Sequence, residues 1–288
     1  MDKLCDLHTH SVFSDGTYTP EGIIDLAIKT SLSAVALTDH NTVSGLDRFI
    51  SYGKSRPIDI VPGVEITTEY NGNELHILGL FITPVMFGRI SDYLKIASDA
   101  KEKSNILLIE RLNSGGYKID YNKLKKSTPS GKFNRANVAK ELFDAGYVKS
   151  IRDAFSTILS PEYGFYEPPQ RLSALETVSF LSSLGAVPVW AHPLISVDYS
   201  VCEEFLVEAT KLGLKAIETI YTEYSDSDTN FAKQMCKKYS LLESGGSDFH
   251  GDIKPDILLG HGKGNISIPN EFYIKLKNES RRNNEKSI

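Results

Sequence analysis

The chain has little cysteine: Cys5, Cys202 and Cys236, with no CxxC pair among 288 residues. An odd number at wide spacing argues against a disulfide framework and fits a reducing compartment. Basic charge is also short. Lys and Arg number 32 against 37 Asp and Glu, a net charge of −5. That balance does not suit wrapping of a nucleic-acid backbone, so no stable nucleic-acid complex is expected. A local cationic pocket for a small phosphorylated substrate remains compatible with it. No run of about 18 uninterrupted apolar residues occurs, and the N-terminus has no basic flank followed by an apolar segment. Neither a membrane span nor a signal peptide is expected, and the expected location is the cytoplasm. What is present is ordinary: 41% hydrophobic and 24% charged residues. A chain of this length can bury a large core, in one barrel-sized domain or two smaller ones.

Short apolar runs alternate with helical periodicity. Leu4–His8, Ala34–Thr38, Ile58–Val61, Glu74–Phe81, Gly185–Ala191 and Ala216–Ile220 read as strands. Helices are expected from Pro20, with Thr19 as cap, and over Ser44–Tyr52, Leu175–Leu184, Glu203–Leu212 and Thr229–Tyr239. Such alternation predicts a parallel barrel or sheet. From about Met86 to Ser160 helical patterns dominate, over Ile90–Leu112 and Asn134–Ala145 in particular. The expected organisation is an α/β domain at 1–84 and 172–276, a helical insertion at 85–171, and a charged tail at 277–288 that frays.

Polar residues collect where the strands end. His8 and His10, two apart on an extended strand, share a face. His40, Glu65, His192, Asp248 and His250 follow other predicted strands. Asp15 lies beside Gly16 in the loop after the first, and His76 falls inside its strand. Of the seven histidines only His261 is left over. In parallel α/β folds, ligating and catalytic side chains come from the C-terminal ends of strands. This mixture of imidazole and carboxylate suits Mn²⁺, Zn²⁺ or Fe²⁺, with Mg²⁺ also admissible. The donors are too many for one ion, so two or three divalent ions sharing a carboxylate are expected, as in two-metal hydrolytic sites. No Ser/His or Cys/His pair competes as a nucleophile. The three cysteines and Trp190 read as core.

Taken in order, Asp6-Leu7-His8-Thr9-His10 with Ser14-Asp15-Gly16, Thr38-Asp39-His40-Asn41-Thr42, Pro62-Gly63-Val64-Glu65, Glu74-Leu75-His76-Ile77-Leu78-Gly79, Ala191-His192-Pro193 and Gly246-Ser247-Asp248-Phe249-His250 resemble the motifs of the PHP (polymerase and histidinol phosphatase) superfamily. The chain is most similar to its stand-alone phosphoesterases, which include nucleoside 3′,5′-bisphosphate phosphatases and a 5′-to-3′ exoribonuclease. The resemblance implies a distorted (β/α)7 TIM-like barrel with a trinuclear centre. His8, His10, Glu65 and Asp248 would hold one ion. Glu65 would bridge to a second, completed by His76 and His192. Asp15, His40 and His250 would hold a third. Asp15 stands where some members have His. His261 stands where the stand-alone branch often has Arg, so it is either a substitute phosphate ligand or an ordinary surface residue.

The implied activity is hydrolysis of phosphate esters of nucleotides or short oligonucleotides by a metal-activated hydroxide. Histidinol phosphate or another small metabolite is the alternative substrate class, and a non-catalytic metal-stabilised binding module is the third reading. Asp39 is expected to orient His40 or pass a proton. Arg135 is the leading phosphate clamp, since a guanidinium grips phosphate through two bonds; Lys132 and Arg171 stand behind it. The insertion is expected to cap the metal face.

Overall fold

A computed structural model describes residues 3–126 and 133–286. The chain opens with β1 (Cys5–Asp6), α1 (Pro20–Lys29), β2 (Ala34–Leu37), α2 (Leu46–Gly53), β3 (Asp59–Tyr70) and β4 (Asn73–Leu80). Four helices follow: α3 (Phe87–Ser114), α4 (Tyr121–Lys126), α5 (Arg135–Asp144) and α6 (Ile151–Ser156). Then come β5 (Leu172–Ser173), α7 (Ala174–Ser183), β6 (Val187–Ala191), α8 (Pro193–Ser196) and α9 (Tyr199–Ala209). The last elements are β7 (Ala216–Tyr221), α10 (Asp226–Tyr239), β8 (Leu242–Gly246) and α11 (Asn270–Lys286). Contacts divide the chain into one unit of Met1–Leu94 with Leu172–Ile288 and a second of Lys95–Arg171.

The first unit is built on a sheet of order β1-β2-β3-β4-β6-β7-β8, with β5 paired to β3. Its helices surround it, and β8 returns to β1. The Leu7 N–H donates to the Gly245 carbonyl (3.2 Å), the Asp248 N–H donates to the His8 carbonyl (3.0 Å), and Thr9 bridges Phe249. The result is the nearly closed, distorted TIM-like barrel expected from the sequence. One expectation needs correction: the strands are not all parallel. β4 runs antiparallel to both β3 and β6. The cause is local. Asn71 and Gly72 have φ of +50° and +80°, the left-handed pair of a two-residue hairpin turn, so the chain doubles straight back without a crossover helix.

Elsewhere local chemistry and fold agree. The Thr19 side chain accepts from the Gly22 N–H (3.1 Å), with Pro20 at the first helical position of α1. β2 is wholly buried, which its Ala-Val-Ala-Leu sequence allows. Cys5, Leu7, Ala34, Ala36 and Val189 form the apolar core together with Phe272 and Leu276 of α11. Cys5 packs in this core and belongs to none of the donor groups among the described residues; burial pushes its thiol up to about 12. Cys202, Cys236 and Trp190 are buried as well. β1 and β8 approach so closely that a Cβ on Gly246 would lie 2.1 Å from the His8 Cβ. At the other end, α11 extends to Lys286, and Ser280 is buried. Residues 277–286 are therefore helical, where fraying was expected, because one face of this helix covers the core.

The second unit has its own core, formed by Leu108, Leu112, Leu124, Val138, Leu142 and Leu159. Asn134 caps α5 and is capped in return by the Asn137 side chain.

Candidate metal centre

The histidines and carboxylates singled out by the sequence meet at one end of the barrel in the first unit. Glu65, on β3 and wholly buried, is the hub. Its Oε1 lies 2.8 Å from His76 Nδ1 and 3.1 Å from His192 Nε2. Its Oε2 lies 3.2 Å from both His8 Nε2 and His10 Nε2, and 3.0 Å from His40 Nδ1. Asp248 Oδ1 stands 3.1 Å from His10 Nε2 and 3.6 Å from both His8 Nε2 and His250 Nδ1. Asp15, half-exposed, places Oδ2 3.3 Å from His250 Nε2 and 3.8 Å from His40 Nε2, and Oδ1 3.7 Å from His10 Nδ1. His76 reaches this end from mid-strand because β4 is reversed. Its partners Thr67 and Ala191 lie towards the C-terminal ends of β3 and β6.

Two of these residues hold unusual backbone. His192 has φ +30° and Asp248 has φ +59°, left-handed conformations uncommon for residues with a Cβ.

Electrostatics follow from the geometry. Burial would lower the His8 pKa, but Glu65 and Glu218 beside it raise it well above the imidazole range. His10 is buried too, yet the adjacent Asp248 and Glu65 carboxylates lift it to about 9. His76 also reaches about 9, with Glu65 and Glu74 overcoming burial. Burial would raise Glu65, Asp248 and Asp15, but the surrounding imidazoles hold all three below the ordinary carboxylate range.

The donor set fits divalent ions. His8 Nε2, both His10 ring nitrogens, His40 Nδ1 and Glu65 Oε2 are buried without a hydrogen-bond partner. Each such atom costs about 1–3 kcal/mol if nothing binds it. Apart from His10 Nδ1, 3.7 Å from Asp15 Oδ1, they approach neighbours at 3.0–3.2 Å without the angles of a hydrogen bond. Donors placed about 2.0–2.2 Å from a common ion are separated by roughly 3.0–3.4 Å. Three groups converge in this way: His8, His10 and Glu65; His40, Glu65 and His76; His10, Asp15, His40 and His250.

The remaining sequence candidates are placed differently. Asp39 does not serve the His40 ring. Its oxygens accept from the Ser11 N–H, the Ser11 hydroxyl and the Ser14 hydroxyl, each at 2.7 Å. It ties down the loop between His10 and Asp15, and these donors occupy it. Arg135 lies in the second unit, its guanidinium 4.0 Å over the Tyr166 ring and its Nη1 donating to the Leu159 carbonyl. Among the described residues, the His261 ring makes no hydrogen bond or ion pair to the cluster. Lys132 lies outside the described residues, and Arg171 is exposed.

Three residues escaped the sequence reading. Glu218 on β7 is wholly buried against His8 and His192. Tyr221 and Lys254 both donate to Asp248 Oδ2, at 3.0 and 2.8 Å. Glu218 carried a signal, an acid inside the apolar strand Ala-Ile-Glu-Thr-Ile. Lys254 carried none.

A barrel that gathers imidazoles and carboxylates at the ends of its strands, with buried donor atoms left unpaired, is a metal-dependent hydrolase. The chain belongs to the PHP domain family, whose profile matches residues 6–153. It is 25% identical to the 5′-3′ exoribonuclease Rnm of Escherichia coli over 85% of this chain and 84% of the relative. It is 27% identical to a 3′,5′-nucleoside bisphosphate phosphatase of Chromobacterium violaceum over 89% of this chain and 90% of the relative. Among solved structures, a Bifidobacterium adolescentis protein with an inferred metal-dependent phosphoesterase activity superposes with a TM-score of 0.71 at 25% identity, covering 96% of each chain. The enzyme hydrolyses phosphoester bonds and depends on divalent metal. No helix among the described residues is long and apolar enough to cross a membrane.

Proposed function

We propose that the substrate is a nucleotide or short oligonucleotide, such as a nucleoside 3′,5′-bisphosphate, and that the centre holds three divalent ions. The observation that carries this reading is the convergence of unpaired buried donors on Glu65, whose two oxygens face separate sets of imidazoles. His8, His10, Asp248 and Glu65 Oε2 would hold one ion. Glu65 Oε1, His76 and His192 would hold a second. His40, His250 and the half-exposed Asp15 would hold a third, the one most open to exchange. Bound there, Mn²⁺, Zn²⁺ or Fe²⁺ supplies charge neutralisation for the phosphoryl oxygens and a water acidified towards neutral pH.

The chain's own residues do the rest. Lys254, partly exposed beside Asp248, offers further ammonium N–H groups to an anion at the mouth of the site. Tyr221 and Lys254 together fix Asp248. Support for a nucleotide comes from the two relatives, one named for RNA and one for a nucleoside bisphosphate.

The test is a substrate panel on purified protein loaded with Mn²⁺: nucleoside 3′,5′-bisphosphates, short RNA, histidinol phosphate and a generic phosphomonoester. Nucleotide substrates should be preferred, and His10→Ala should lower kcat by roughly 10²–10³-fold, the scale of losing one charge-stabilising group. Preference for histidinol phosphate would overturn the substrate assignment. Activity that survives complete chelation would overturn the centre.

A further inference from the structure

Glu218 sits behind the donor set and touches two of its members. Its Oε1 is 3.1 Å from His8 Nδ1, and its Oε2 accepts from the His192 backbone N–H at 2.8 Å. Both oxygens are thus spoken for, on a side chain with no exposed surface. On the opposite side the same two histidines meet Glu65: His8 Nε2 at 3.2 Å from Oε2, and His192 Nε2 at 3.1 Å from Oε1. The two rings lie between these carboxylates, stacked at 5.5 Å.

The two contacts do different work. His8 can present an unprotonated Nε2 to an ion only if its ring proton is on Nδ1. A carboxylate at Nδ1 accepts that proton's hydrogen bond and nothing else, so it selects the ligating tautomer. His192 has a different problem. It precedes Pro193 and adopts a left-handed conformation with φ +30° and ψ +52°. Such a backbone costs on the order of 1–3 kcal/mol and persists only where its surroundings hold it. The bond to Glu218 Oε2 is such a hold.

We propose that Glu218 is the positioning residue that fixes the ligating tautomer of His8 and the ligating pose of His192, and so couples the occupancy of two ions. The inference rests on the proposed ligand roles of His8 and His192. It concerns neither the third group, of Asp15, His40 and His250, nor direct contact with substrate.

Glu218→Gln is the discriminating variant, because it keeps the shape and removes one acceptor. The amide oxygen would satisfy the His192 N–H. The NH₂ group would then face His8 Nδ1 and require it to accept, which moves the ring proton to Nε2. Protein carrying ¹⁵N-labelled histidine and loaded with diamagnetic Zn²⁺ reads this directly. In the unmodified protein, His8 should show a protonated Nδ1 and a metal-bound Nε2. In Glu218→Gln, the Nδ1 proton signal should be lost and the ion of His8 weakened by about 10–100-fold, with the ion of His192 kept because the amide oxygen still accepts its N–H. In Glu218→Leu, which offers no acceptor to either histidine, zinc titration should show both ions weakened while the third is held as before.

The outcomes separate the two readings. Unmodified protein that binds no divalent ion overturns the metal centre and this inference with it. Unmodified protein that binds zinc with His8 protonated at Nε2 overturns this inference alone, with no variant needed. So does a Glu218→Gln protein that binds all its zinc as tightly as before. Weakening of only one ion in Glu218→Leu overturns the coupling.

Discussion

Removing the charge of Glu65 should do more damage than removing any single histidine. In Glu65→Gln the side chain keeps its length but loses its charge and one acceptor. The native carboxylate stands within 3.2 Å of nitrogen atoms on His8, His10, His40, His76 and His192. In the metal-free protein this charge compensates buried imidazoles that its presence helps to protonate. Breaking a buried pair of this kind costs about 3–5 kcal/mol. With an unfolding entropy of about 2.1 cal/mol/K per residue, a chain of 288 residues shifts by roughly 1.7 °C per kcal/mol, so Tm should fall by about 5–8 °C. Metal adds a second reading. Glu65 is proposed to bridge two ions, so elemental analysis after dialysis should find two ions fewer, with at most the ion of Asp15, His40 and His250 retained. The assay is thermal denaturation in chelator and in Zn²⁺, paired with metal content. A variant that melts within 1 °C of the parent in chelator, or keeps its full metal complement, would refute the reasoning.

Two other expectations follow from the same geometry. His10 and His76 have folded-state pKa values of about 9 against 6.5 for the free group, so their contribution to stability is whole below about pH 6.5 and lost as pH rises through 9. Chelated protein should therefore melt at falling temperatures across that window, while the Tm gain from added Zn²⁺ grows as protons stop competing for the imidazoles; a flat chelated Tm, or a shrinking gain, contradicts this. Lys254→Met should raise KM for a phosphate ester and lower kcat/KM by roughly 10–100-fold, the scale of one charge-assisted hydrogen bond, with metal content unchanged because Tyr221 still holds Asp248 Oδ2; loss of metal without a change in KM would limit Lys254 to holding Asp248.

How far the sequence reached can be judged residue by residue. His8 and His10 were legible because period two places them on one face, and His40, His192, Asp248 and His250 because they follow apolar runs. His76 looked misplaced. Its strand position makes sense only once β4 is known to reverse, and the Asn71-Gly72 turn that reverses it was visible without its consequence being drawn. Asp39 was assigned to His40 by adjacency in sequence, yet its partners Ser11 and Ser14 are 28 and 25 residues away. Glu218 and Tyr221 reach the centre from β7, which meets β1 only through β8 once the barrel closes, and that proximity is a property of closure which no local pattern encodes. The long insertion helices were readable from their periodicity. The short α4, α6 and α8 were not, because one or two turns leave too few residues to establish a period.

Closure of the barrel through β1 also has a consequence in time. This strand is two residues long, and its partners on one side come from residues 245–249, with Asp6 bonded to Ser247 across 241 positions. At a synthesis rate of about 5–20 residues per second, roughly 12–50 s separate the emergence of His8 from that of Asp248. Through that interval His8 and His10 lie on a segment without its β8 partner and lack Asp248, the carboxylate that completes their shell. An ion captured then is held weakly and exchanges. A chain not yet extended past Asp248 and His250 therefore carries no competent centre, and an enzyme able to cut phosphoesters becomes active only after those residues have been made.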